Sequence, residues 1–125
     1  MVLHVTLDEV YTSVVAFLDQ FVERGVGPDI LDLRKRLVSD PQMRRLRDSQ
    51  MPTEAPTERE AFDGMRSLFA VEEERTRGKY EYAGVPNLVL LLSWTGWEDW
   101  ADGTTTNDPA QWHDWLRAVR EATVR

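Results

Sequence analysis

The chain contains no cysteine, which excludes disulfide bonds, thiolate metal ligands and a cysteine nucleophile. It also has no long apolar run. The run at residues 88–92 is far shorter than the roughly 20 residues that a membrane span needs. Residues 1–7 lack the basic segment and apolar stretch of a secretory signal peptide. We therefore expect a soluble, cytoplasmic protein with no membrane partner.

Histidine is scarce, and the motifs of common reactive sites are missing. His4 and His113 have no second histidine or glutamate at a metal-binding spacing, so zinc and di-iron sites lack ligands. Asp99, Asp102 and Asp108 do not follow the alternating pattern of a calcium-binding loop. No serine lies in a Gly-x-Ser-x-Gly elbow, and no glycine-rich phosphate loop occurs. The sequence predicts no catalytic residue, no metal and no cofactor, and therefore not an enzyme.

The bulk composition is that of one small globular domain. The chain has 125 residues, 42% of them hydrophobic and 30% charged, which suffices for a single core spanning 1–125. Its net charge of −7 repels phosphate backbones and anionic lipid and attracts basic partners. We expect a protein partner without direct contact to nucleic acid. The oligomeric state stays open.

Helix-start signals and apolar spacing predict an all-α fold of five to six helices. Capping boxes begin at Thr6 and Thr57, Asp-Pro pairs begin at Asp40 and Asp108, and Asn87 is placed to cap the apolar run after it. That run fits a strand as well as a helix, and we favour the helix. Residues 79–83 alternate as in a short β segment. Helices are expected near residues 7–24, 29–38, 41–47, 58–75, 88–94 and 109–122.

The same patterns predict the core and the solvated faces. The first and last helices should pack together, through Tyr11, Val14, Leu18 and Phe21 on one side and Trp112, Trp115, Leu116 and Val119 on the other. Trp94 is expected in the core. Arg44, Arg45 and Arg47 are expected in solvent, and the charged residues 72–77 in solvent or at a partner surface.

An acidic, tryptophan-bearing segment is the candidate binding site. Trp97 and Trp100 are three residues apart and enclose two carboxylates, a composition typical of an interface anchor with an acidic rim. The alternative is that these rings cover one end of the core. Residues 29–47 are instead basic, so the acidic groups either steer a basic partner or pair with this stretch. The candidate partner-binding residues are Trp97, Glu98, Asp99, Trp100, Asp102, Glu72 and Glu73.

Two stretches resemble a known family. One is TLDEVYTSVVAFLDQFVERG at residues 6–25; the other comprises residues 87–94, 101–103 and NDPAQWHDWLRAV at 107–119. Together they resemble small acidic bacterial proteins of the contact-dependent growth inhibition immunity type. Residues 26–86 depart from this pattern, because the family has a short connector there. The resemblance implies a cytoplasmic, stoichiometric inhibitor that occludes a cognate toxin. It implies no catalytic residues, and it transfers no binding residue because the contacts of this family vary with the toxin.

Three functions are consistent with these features. The first is an immunity or antitoxin-like protein that binds and neutralises a basic toxin domain by occlusion. The second is a nucleic-acid mimic or phage-type inhibitor of a DNA-binding enzyme, whose carboxylates would be spaced like phosphates. The third is a small hydrolase or ligand-binding protein, which requires a deep pocket lined by tryptophan and tyrosine.

Overall fold

The computed structural model describes residues 3–25, 27–77, 87–96, 106 and 108–123, and within them the chain is a small all-α domain. Its helices are α1 (Leu7–Glu23), α2 (Pro28–Ser39), α3 (Pro41–Ser49), α4 (Glu58–Thr76), α5 (Asn87–Trp94) and α6 (Pro109–Thr123). The predicted fold class and helices are confirmed, including helix for the apolar run. The β segment suggested at residues 79–83 lies outside the described residues.

Short-range capping explains where the long helices begin. The Thr6 hydroxyl accepts the amide of Glu9 at 3.1 Å, and the Glu9 carboxylate accepts the amide of Thr6 at 2.9 Å. The same reciprocal pair forms between Thr57 and Glu60. Each box satisfies amides that a helix start otherwise leaves unpaired. At the far end of α1, Gly25 adopts a φ of +82°, which favours glycine and terminates the helix.

The core centres on aromatic contacts between α1, α4 and α6. Trp115 is fully buried, with its ring centroid 6.0 Å from that of Phe17 and 5.7 Å from that of Phe62. Its indole N–H donates to the carbonyl of Glu58 at 3.0 Å, so the one polar atom of the ring is satisfied. The predicted packing of the first helix on the last is confirmed. The contacts that the structure shows for Tyr11 are with Arg44 and Arg47 of α3, which was not predicted.

Arg47 is buried, so its predicted exposure to solvent is wrong. The side chain is 3% exposed, its guanidinium pairs with Asp48, and its central carbon lies 4.9 Å from the centre of the Tyr11 ring. Arg44 stacks on the same ring at 4.3 Å. The long arginine stems cover the face of Tyr11, a ring that the apolar spacing of α1 had assigned to the contact with the last helix.

Candidate functional site

The residues that flank the acidic, tryptophan-bearing segment in the chain are in contact with each other. The amide of Asp108, just before α6, donates to the carbonyl of Trp94, the last residue of α5, at 3.0 Å. Thr106 is buried beside this point, and its hydroxyl donates to the carbonyl of Asp108. Trp94 and Asp108, which flank residues 95–107 in the chain, therefore lie side by side at the junction of α5 and α6.

Trp94 is a surface residue at this junction. Its side chain is 39% exposed, so its predicted place in the core is wrong. The reason is its position at the end of a short helix, where the ring extends past the core residues Leu88 and Leu91. The signal that could have indicated this was the adjoining Thr95-Gly96 turn, because the helix stops before the ring can be covered.

Five of the predicted partner-binding residues lie outside the described residues: Trp97, Glu98, Asp99, Trp100 and Asp102. Their contacts stay a prediction. The other two, Glu72 and Glu73, lie near the end of α4. Glu73 is half-buried and accepts hydrogen bonds from Arg77.

Glu72 is completely buried, so the predicted exposure of residues 72–77 is wrong at this position and at the buried Thr76. Its carboxylate pairs with Arg36 of α2 and with Arg75, whose Nε lies 3.0 Å from Oε1. Burial raises the pKa of the Glu72 carboxyl, but the hydrogen bonds from Arg36 and Arg75 outweigh burial and hold its pKa below the usual value. The buried Glu72 carboxylate therefore links α2 to α4 instead of facing a partner.

Further ion pairs join the basic helices to acidic neighbours. Arg34 of α2 donates to Asp19 of α1 at 2.5 Å, and Arg24 contacts the buried Asp114 of α6 at 3.3 Å. Neither pair joins residues 29–47 to the candidate acidic residues, as the pair of Arg36 with Glu72 does. They tie α1 to α2 and to α6, and they leave fewer free cations on the basic face.

A carboxylate from α2 supports the start of α5. Asp29 is 2% exposed; its Oδ1 accepts the amide of Ile30 at 2.9 Å, and its Oδ2 accepts the amide of Leu88 at 2.8 Å. The expected cap, Asn87, is itself the first residue of α5, and Asp29 takes the capping role. The two helix starts approach closely, since a Cβ on Gly27 would lie 2.3 Å from Nδ2 of Asn87.

An arginine from α4 supports the end of α5. The Arg66 Nη2 donates to the carbonyl of Leu92 at 3.1 Å, and its Nε donates to the hydroxyl of Thr95 at the same distance. Thr95 is fully buried, and its hydroxyl donates to the carbonyl of Leu91 at 2.7 Å. Neither Arg66 nor Asp29 was identified from the sequence, because each acts on a helix far away along the chain.

A cavity of about 330 Å³ lies beside Trp94. The Asp108 carboxylate at its edge accepts the amide of Ala110 at 3.1 Å and the side-chain amide of Gln111 at 3.3 Å, so these polar groups already hold the start of α6. The lining residues include Phe21, Arg24, Ile30, Trp94, Asp108 and Gln111.

Comparisons with protein-family models, with curated proteins and with solved structures found no match to this chain. Across the described part of the chain, no helix has the length and apolarity that a membrane crossing requires. The same residues contain no group of three or more histidine, aspartate or glutamate side chains arranged to hold a metal ion.

Proposed function

We propose that this protein is a stoichiometric inhibitor of the immunity or antitoxin type, which binds a basic toxin domain in the bacterial cytoplasm and occludes its active surface. The observation that carries the proposal is the hydrogen bond from the Asp108 amide to the Trp94 carbonyl. It brings together the two residues between which the acidic, tryptophan-rich part of the sequence lies. Trp94 adds an exposed aromatic ring at that point.

The composition of this surface suits a basic protein partner. Tryptophan is among the residues that contribute most to protein–protein binding, and surrounding carboxylates raise the rate at which a cationic partner arrives. The net charge of −7 acts in the same direction over a longer range. A helical body that is ordered before binding also limits the conformational entropy that docking costs.

The experiment is co-purification with the product of the adjacent gene, because an inhibitor of this type is expected to be encoded beside its toxin. We expect Trp94→Ala, Trp100→Ala and Asp99→Lys each to weaken the complex by roughly 10-fold or more, as interface anchors and desolvated charges do. High salt should weaken it further.

Two substitutions elsewhere serve as matched controls. Leu31→Ala removes a side chain on α2 that is 45% exposed, comparable to Trp94, and Glu121→Lys reverses an exposed charge on α6. Both should leave binding unchanged. Equal losses in the control and test variants would show that this surface is not the docking site, and a wild-type protein that captures nothing from its neighbour would contradict the function.

A further inference from the structure

The helix that carries Trp94 is too short to be stable by itself. α5 has 8 residues, whereas isolated helices shorter than about 12–15 residues are marginal in water. Leu88 and Leu91 bury one side of it against the core. Its ends must be stabilised by groups outside the helix, because the unpaired amides and carbonyls there otherwise favour fraying.

Two charged side chains provide this support, one at each end. The Asp29 carboxylate lies at the N-terminus of α5 and the Arg66 guanidinium at its C-terminus, so each charge opposes the partial charge of that helix end. We call this pair the α5 clamp. The carboxylate comes from α2 and the guanidinium from α4, so the clamp fixes α5 between two longer helices.

The carbonyl groups of the last turn of α5 are fully partnered. The carbonyls of Leu91 and Ser93 accept the amides of Thr95 and Gly96, at 3.0 and 3.3 Å. The carbonyl of Leu92 accepts from Arg66, and that of Trp94 accepts the Asp108 amide at 3.0 Å. Among these donors, Arg66 is the side chain that comes from another helix, α4. Arg66 also bonds Thr95, the first residue after α5.

We propose that Asp29 and Arg66 are positioning residues, which hold α5 and the junction at Trp94 in the partner-binding conformation before the partner arrives. This inference rests on the proposed function, since the surface that they position is the one assigned there. Asp29 is buried and acts through α5, without contact to a docked protein. Loss of either residue lowers the fraction of molecules that are competent to bind.

Hydrogen exchange measured by mass spectrometry tests the clamp in the free protein. Arg66→Met keeps the aliphatic stem but removes the donors, and Arg75→Met is the matched control because Arg75 lies on the same helix and bonds Glu72 instead of α5. We expect amides 88–92 to exchange about 10- to 100-fold faster in Arg66→Met, the loss expected for charged hydrogen bonds. Exchange in α1 and α6 should not change. Equal exchange of α5 in both variants would overturn the inference.

Asp29→Asn provides an independent variant. The carboxamide has one acceptor oxygen, so it cannot serve the amides of Ile30 and Leu88 as the two carboxylate oxygens do. We expect faster exchange of amides 88–92 here as well. If this variant does not fold, Arg66→Met alone decides the outcome, because Arg66 is only partly buried.

Binding of the adjacent gene product tests the positioning role itself. We expect Arg66→Met to lower the affinity by up to about 10-fold, with Arg75→Met unchanged, at a temperature where both variants remain folded. Faster exchange in α5 with undiminished affinity would overturn the positioning role. If the unsubstituted protein does not bind, the proposed function fails and the positioning role falls with it, whereas the exchange measurement still establishes whether the clamp orders α5.

Discussion

Trp115 is the residue on which the core depends most. Its ring is fully buried between Phe17 and Phe62, and its N–H bonds a main-chain carbonyl. We expect Trp115→Ala to lower the free energy of unfolding by about 3–5 kcal/mol, because it removes the contacts and leaves a cavity. Trp115→Phe, which keeps most of the volume, should cost less. Urea denaturation measures both, and a loss below about 1 kcal/mol for alanine would show that the ring is peripheral.

Glu72 makes the stability depend on pH in the acidic range. Its folded pKa lies below that of the unfolded chain, so its contribution is complete above the ordinary carboxyl value of about 4.3 and is lost as the pH falls through the folded pKa. Glu72→Gln should therefore lower the unfolding free energy at neutral pH and flatten its decline below about pH 4.

The neighbouring Glu73→Gln is the control for this effect. Glu73 pairs with Arg77, which is well exposed, and solvent screens that pair, so the change in stability should be small. The comparison is made by urea denaturation at neutral and acidic pH. Identical pH profiles for Glu72→Gln and the wild-type protein would mean that the buried network with Arg36 and Arg75 does not act as described.

At the scale of elements, Gly64 controls how the segment after α3 packs on α4. A Cβ at Gly64 would lie 2.7 Å from Sδ of Met51 and 3.0 Å from the carbonyl oxygen of Gln50. The main-chain contact cannot relax as a side chain can. We expect Gly64→Ala to destabilise the fold by about 1–3 kcal/mol, although alanine favours helix by roughly 1 kcal/mol.

Ser67→Ala, at an exposed position one turn further along α4, isolates the effect of helix propensity. It should be neutral or slightly stabilising in the same thermal or urea denaturation assay. A gain in stability for Gly64→Ala similar to that of Ser67→Ala would contradict the close packing of Met51 on this helix.

The elements that the sequence predicts well are those defined by neighbouring residues. The capping boxes at Thr6 and Thr57 place the starts of α1 and α4 because donor and acceptor are three residues apart. Side chains that bond other helices were not predicted, because their partners are far away in the sequence. Arg36 bonds Glu72, 36 residues away, and Asp29 accepts the amide of Leu88, 59 residues away. The spacing of apolar residues within one helix does not predict such pairs. Trp94 was wrongly predicted to lie in the core, because apolar character alone does not show where a short helix ends.

At the scale of the whole molecule, some charged residues form ion pairs between helices, and others are predicted to bind a partner. Arg34 and Arg36 pair with carboxylates of other helices, so part of the basic stretch at residues 29–47 stabilises the fold. The acidic residues between Trp94 and Asp108 were predicted from the sequence as binding residues, and their contacts remain a prediction. The structure adds the contact between Trp94 and Asp108, the residues that flank this part of the chain, which neither composition nor periodicity could predict.

The most direct test is calorimetric titration of the purified protein with the product of the adjacent gene. We predict an equimolar complex that loses affinity as salt is raised, is weakened roughly 10-fold or more by Trp94→Ala, and is unchanged by Leu31→Ala. Absence of binding, or equal affinities for the Trp94→Ala and wild-type proteins, would contradict the account.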